Sequence, residues 1–136
     1  MVILVNNKAF TLIELLAVIT ILALLALIAI PTISKQMDNS RETLYNSQIK
    51  NIKESARAWG ADNLFKLPDD DTCITVTLGY LKDGGYIDSS VINPKNNKEF
   101  SNTDVFVNIK KESNQYIYEV KTSGDKCELV DDNITN

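Results

Sequence analysis

The stretch Phe10-Thr11-Leu12-Ile13-Glu14, continued through Ile30-Pro31-Thr32-Ile33, decides how the rest of the chain is read. These 24 residues carry one charge, Glu14, and the sixteen from Leu15 to Ile30 carry none and a single hydroxyl, Thr20. An α-helix rises 1.5 Å per residue, so about 20 residues cross the ~30 Å of bilayer hydrocarbon. The block is long enough to span a membrane. A secretory signal peptide has a shorter apolar stretch, a basic start and a small-x-small cleavage site. Here a single lysine, Lys8, precedes the block and Pro31-Thr32-Ile33-Ser34-Lys35 ends it. Lys8 and the amino terminus before the span, with an acidic remainder after it, place the N-terminus in the cytoplasm and the bulk outside.

Outward from the block, composition narrows the function classes. The 136 residues hold no histidine and two cysteines, and the net charge is −4. Without histidine the commonest general base and metal ligand are missing. No Gly-rich phosphate loop or nucleophile motif occurs, and the carboxylates form no recognisable acid–base pair. The reading is therefore not an enzyme, with no catalytic residues, no cofactor and no metal. An acidic chain without a basic cluster gives no support to nucleic-acid binding.

Glu14 is the anomaly. A charge in a membrane segment is costly, by ~2.5–3.5 kcal/mol at mid-depth on insertion scales. Either it lies at the interface, snorkelling or protonated, or another chain supplies a cation.

Lys8-Ala9-Phe10-Thr11-Leu12-Ile13-Glu14-Leu15-Leu16 resembles the class III signal sequence of type IV pilins and of the pseudopilins of secretion and competence systems. The resemblance implies cleavage by a prepilin peptidase between Ala9 and Phe10 and N-methylation of Phe10. It also implies assembly roles for Thr11, Glu14 and Pro31, with the new amino group of Phe10 meeting Glu14 of a neighbour. A paired carboxylate in low dielectric is tolerable and fixes register. Ala9 stands where the family prefers glycine, and the leader is more aliphatic than usual. Implied partners are other copies and related pilins, the peptidase, the pilus assembly machinery and membrane lipid. The implied location is the cytoplasmic membrane and then a surface filament. A membrane-anchored module that never polymerises, or a pseudopilin of secretion or DNA uptake, are the alternatives.

Past Pro31 the helical period continues. Ile33, Met37, Leu44, Gln48/Ile49, Ile52, Ala56 and Trp59 form a one-sided stripe, expected to be core beneath a small sheet. A single rod from Phe10 to about Asp62, ~80 Å long, is expected, kinked or locally melted at Pro31. Gly60 and Pro68-Asp69-Asp70-Asp71 are expected to end it, the aspartates as a solvated turn rather than a calcium loop.

Cys73–Thr77 reads as a strand and Leu78–Asp83 as a short helix capped by Thr77 and stopped at Gly84-Gly85. A loop follows from Asp88 to Lys98. Strands are expected over Asp104–Lys111 and Gln115–Thr122 around a Glu112-Ser113-Asn114 hairpin loop, with a short edge piece at Cys127–Val130. Gly79-Tyr80-Leu81, Gly85-Tyr86-Ile87 and Asn93-Pro94 resemble low-GC Gram-positive pilins. Cys73 and Cys127, 54 residues apart, either form a disulfide, worth about 3–4 kcal/mol in loop entropy, or remain two buried thiols. The expected organisation is a leader (1–9), a membrane half of the helix (10–33), an amphipathic half (34–66) and a β-sheet region (67–136). The fold class is α+β, a long N-terminal helix on a small antiparallel sheet.

Overall fold

A computed structural model describes residues 9–130. Helix α1 covers Leu12–Asp62, followed by a 3-10 turn at Leu64–Lys66, strand β1 (Cys73–Thr77) and helix α2 (Leu78–Asp83). Then come β2 (Ile92–Asn93), β3 (Lys98–Glu99), β4 (Phe106–Glu112), β5 (Gln115–Lys121) and β6 (Glu128–Leu129). This is the expected α+β fold, one long N-terminal helix and a mostly antiparallel sheet. The chain divides into two compact units after Ser40.

In the first unit every described residue is exposed, which suits an apolar surface to lipid or another helix. The helix is unbroken at Pro31, so the local melting expected there is not found. Proline forfeits the bond that an amide at 31 would make to Leu27 O; nearby hydroxyls donate to other carbonyls of the same turns, Thr32 Oγ1 to Ile28 O at 3.3 Å and Ser34 Oγ to Ile30 O at 3.1 Å.

The second unit, from Arg41 on, is the head. Its four-stranded sheet has the order β5-β4-β1-β6, with β1–β4 and β4–β5 antiparallel and β6 parallel to β1. Side chains alternate across strands. Ile74 and Val76 of β1 and Val107 and Ile109 of β4 therefore share the face on which Ile52, Ala56 and Trp59 pack. Trp59 is 1% exposed and meets the Tyr80 ring edge-on at 6.0 Å. The opposite face carries Cys73, Thr75 and Asn108. Thr75 Oγ1 donates to Asn108 Oδ1 at 2.6 Å and accepts from the Cys127 amide at 2.8 Å, while Asn108 Nδ2 donates to Asp125 O at 3.2 Å. This network seats the C-terminal arm and leaves neither buried side chain, Thr75 or Asn108, without a partner, as burial requires. Cys73 and Cys127 are joined in a disulfide, with Cα atoms 5.5 Å apart, inside the range such bonds need.

Four expectations are corrected here. Ile33, Met37 and Leu44 are 57%, 52% and 56% exposed, so the sheet covers only the later part of the stripe. Gly60 does not end the helix; it lies buried inside α1, where an added Cβ would collide with the Tyr118 hydroxyl. The β4–β5 turn is two residues, Ser113 and Asn114, with φ of 50° and 63°, and Glu112 is paired with Gln115. Two left-handed residues match the twist of a tight hairpin. Finally, the Asp88–Lys98 loop contains the β2–β3 hairpin, closed by an Asn93 side chain that accepts from Lys95 N at 2.9 Å. Lys95 at its tip lies 4.2 Å above the Tyr45 ring and 3.7 Å from Glu42, fastening the hairpin to α1.

Three groups in the head hold their protons more tightly than usual. Burial raises the Tyr118 hydroxyl above 10.0, partly offset by Arg57. Burial, and then a hydrogen bond to Asp62, raises Tyr86, and a hydrogen bond to Asp70 raises Lys111 above 10.5. A raised folded-state pKa adds stability that is complete below the unfolded pKa and lost as pH rises through the folded one. The thermal midpoint of the head should therefore be level through neutral pH and fall above about pH 10, with Tyr118→Phe flattening that fall. A midpoint that falls equally in Tyr118→Phe would refute the assignment to Tyr118.

Candidate processing and assembly site

The residues that stand out at the N-terminal end are brought together by one helix start. Ala9 and Phe10 precede α1 in irregular backbone, and Phe10 is 87% exposed. Thr11 sits immediately before the first helical residue. Its amide and its hydroxyl both donate to Glu14 Oε2, at 3.0 and 3.2 Å, and the Glu14 amide donates back to Thr11 Oγ1 at 3.3 Å. This reciprocal arrangement is a capping box, Thr-x-x-Glu, which satisfies orphan donors of the first turn. A carboxylate at this end is further favoured by the helix dipole.

The arrangement changes the account of Glu14. Its carboxylate already has partners within its own chain, and they fold it back toward the peptide bond between Phe10 and Thr11. An amino group created at Phe10 by cleavage would be one residue from the amide that this carboxylate now holds. The signal is local: Thr11-Leu12-Ile13-Glu14 is a capping signature directly ahead of an apolar run.

Pro31 is seventeen residues beyond Glu14, roughly 25 Å along the helix, and shares no contact with the cap. Between them Thr20 Oγ1 donates to Ala17 O at 2.8 Å, which removes the one free hydroxyl of the apolar stretch. α1 is long and apolar enough to cross a membrane, and the apolar window is wholly unburied. Cys73 and Cys127 belong to the head and are bonded to each other.

In the acidic turn, Asp70 pairs with Lys111 at 3.1 Å and Thr72 N donates to Asp69 O at 3.1 Å. Among the described residues no three His, Cys, Asp or Glu side chains converge as a metal site. A cleft of about 380 Å³ lies between Trp59, Tyr80 and Tyr86, and the hydroxyls of its two tyrosines are engaged, Tyr86 donating to Asp62 at 3.0 Å and Tyr80 accepting from Lys66 at 3.3 Å.

Residues 4–30 match the family described as the prokaryotic N-terminal methylation motif. The match runs from the segment ahead of the Ala9–Phe10 bond across the cap and along the apolar helix, and it supports the type IV pilin and pseudopilin resemblance. Processing by a prepilin peptidase and assembly with pilins are what such a motif implies in general. No curated protein and no solved structure shows significant similarity to the chain.

Proposed function

We propose that the chain is a structural subunit of a type IV pilus or pilus-like filament. The methylation-motif match over residues 4–30 carries this reading. Prepilin peptidase cuts between Ala9 and Phe10 and methylates the new amino group, and residues 1–9 are the leader. The subunit waits in the cytoplasmic membrane through residues 10–33, its N-terminus on the cytoplasmic side. The assembly machinery then extracts it into a surface filament, in which the apolar face exchanges lipid for neighbouring helices. That exchange replaces one apolar surrounding with another, so close packing and the Phe10–Glu14 pairing set the register. The role is structural, not catalytic. Two features support it: Glu14 is held toward Phe10 by Thr11, and the apolar surface from Leu12 to Ile30 is unburied.

The test is intact mass and N-terminal sequencing of the chain from membranes and from sheared surface material. A chain starting at Phe10 and one methyl heavier, recovered in the sheared fraction, is the expected result. An uncut chain confined to the membrane would refute processing and leave an anchored, non-polymerising module, with Ala9 as the first cause to examine.

A further inference from the structure

Among the described residues neither edge strand of the four-stranded sheet has a second strand partner, and the two edges differ in charge. At one end, β5 is seven residues long, contains no proline, and among the described residues pairs only with β4. Such an edge leaves a row of backbone donors and acceptors without strand partners. Beside it runs a trough between β5 and α1, made of two hollows of about 450 and 400 Å³ that share Tyr118. Its helix wall carries Lys50, Lys53 and Arg57. Arg57 pairs with Glu54 at 3.8 Å, whereas Lys50 and Lys53 form no ion pair among the described residues.

At the other end, β6 is bonded along one side to β1 and, among the described residues, to no strand on the other. Asp125 and Glu128 are exposed there, while Lys126 between them is turned to Thr103 O, to which it donates at 2.8 Å. Leu129 is 50% exposed.

Strand direction and facing make these ends complementary. β1, β5 and β6 all run the same way, because β1 and β5 are each antiparallel to β4 and β6 is parallel to β1. Two heads in the same orientation, set side by side, would therefore join β6 to β5 as a parallel pair. Glu128 is in register with Ile74, on the face that α1 covers, and Leu129 with Thr75 on the opposite face. In such a joint Glu128 comes beside the Lys50 and Lys53 wall of the next copy. Leu129 comes beside Ile117, which is 43% exposed on that same opposite face.

We propose that the β5 edge, with its lysine wall, receives the β6 end of a second copy of this chain, continuing the sheet from head to head. Because the two joined surfaces are different, the contact is heterologous and propagates rather than closing on itself as a two-fold dimer. A two-residue β6 makes a small contact, so the joint orders heads already held side by side. It rests on the filament reading given above.

The test uses the full chain in producing cells, with a photo-reactive benzoylphenylalanine replacing Ile117, and separately Glu119, both exposed. The expected result is an adduct of two copies joining these positions to residues 125–130. Lys50→Glu with Lys53→Glu should lower its yield about fivefold, and Glu128→Lys in the partner copy should restore it. Filaments whose adducts map elsewhere, or whose yield ignores the lysine reversal, overturn the joint and leave the filament reading standing. Adducts to a different protein overturn the second copy as occupant. Absence of both filaments and adducts, with an uncut chain in the membrane, overturns both readings.

Discussion

Trp59→Ala should unfold the head or leave it barely folded. Trp59 is 1% exposed, wedged between the sheet and the Tyr80 ring, and it lies one turn beyond Ala56 and two beyond Ile52. Truncating a buried tryptophan removes its transfer free energy and leaves a cavity, together ~3–5 kcal/mol. A domain of this size is stable by only ~5–15 kcal/mol. Denaturant titration of the full chain in detergent, followed by near-UV circular dichroism, should show the midpoint collapse. Leu44→Ala is the matched control on the same stripe. Leu44 is 56% exposed, so its loss should cost under ~1 kcal/mol. Equal effects at both positions would mean that the whole stripe is covered by the head, contrary to the structure.

That contrast marks where the sequence could be read and where it could not. Cys73–Thr77 and Leu78–Asp83 were legible to the residue, because alternation, β-branching, a threonine cap and a glycine pair all act locally. The Thr77 hydroxyl does accept from the Tyr80 amide, at 3.2 Å. Periodicity, by contrast, says which residues share a helix face and not whether anything lies over it. Ile33, Met37 and Leu44 have the same spacing as Ile52, Ala56 and Trp59, and only the second set meets the sheet. Gly60 was read by its propensity to break helices, whereas its reason for being glycine is Tyr118, 58 residues away in the chain. Strands of two residues, such as β2, β3 and β6, carry no alternation to detect, and the parallel direction of β6 is a property of the assembled sheet. At the N-terminal site the motif identifies the residues, whereas the relation between Thr11 and Glu14 is a matter of helix capping. That bond joins residues three apart and is set by the helix start alone, independently of what the membrane charge costs.

On the proposed pairing with Phe10 of a neighbour, Glu14→Ala should leave membrane insertion intact and reduce incorporation into filaments with wild-type neighbours by about tenfold or more, since removing one member of a buried ion pair costs ~3–5 kcal/mol. Taken alone, that result would be ambiguous, because the structure gives Glu14 a second task as the distal half of a capping box. Two further variants separate the tasks. Thr11→Ala removes the cap and keeps the charge, at a cost of about 0.5–2 kcal/mol to the helix start. Glu14→Gln does the reverse, because glutamine serves in a capping box as glutamate does but cannot pair with an amine as an ion. If the charge of Glu14 sets register through Phe10, Gln should fail almost as badly as Ala, and Thr11→Ala should assemble at a modestly reduced level. Sheared-filament yield, compared with the amount of each variant in the membrane, reads the difference. Normal assembly of Glu14→Gln beside a failing Glu14→Ala would show that what assembly requires is the ordered first turn. The trans pairing would then be wrong, although the filament role would stand. If the pairing holds, Thr11 acts by positioning: it keeps the carboxylate turned toward residue 10 before a neighbour arrives, so less freedom is lost when the two chains meet.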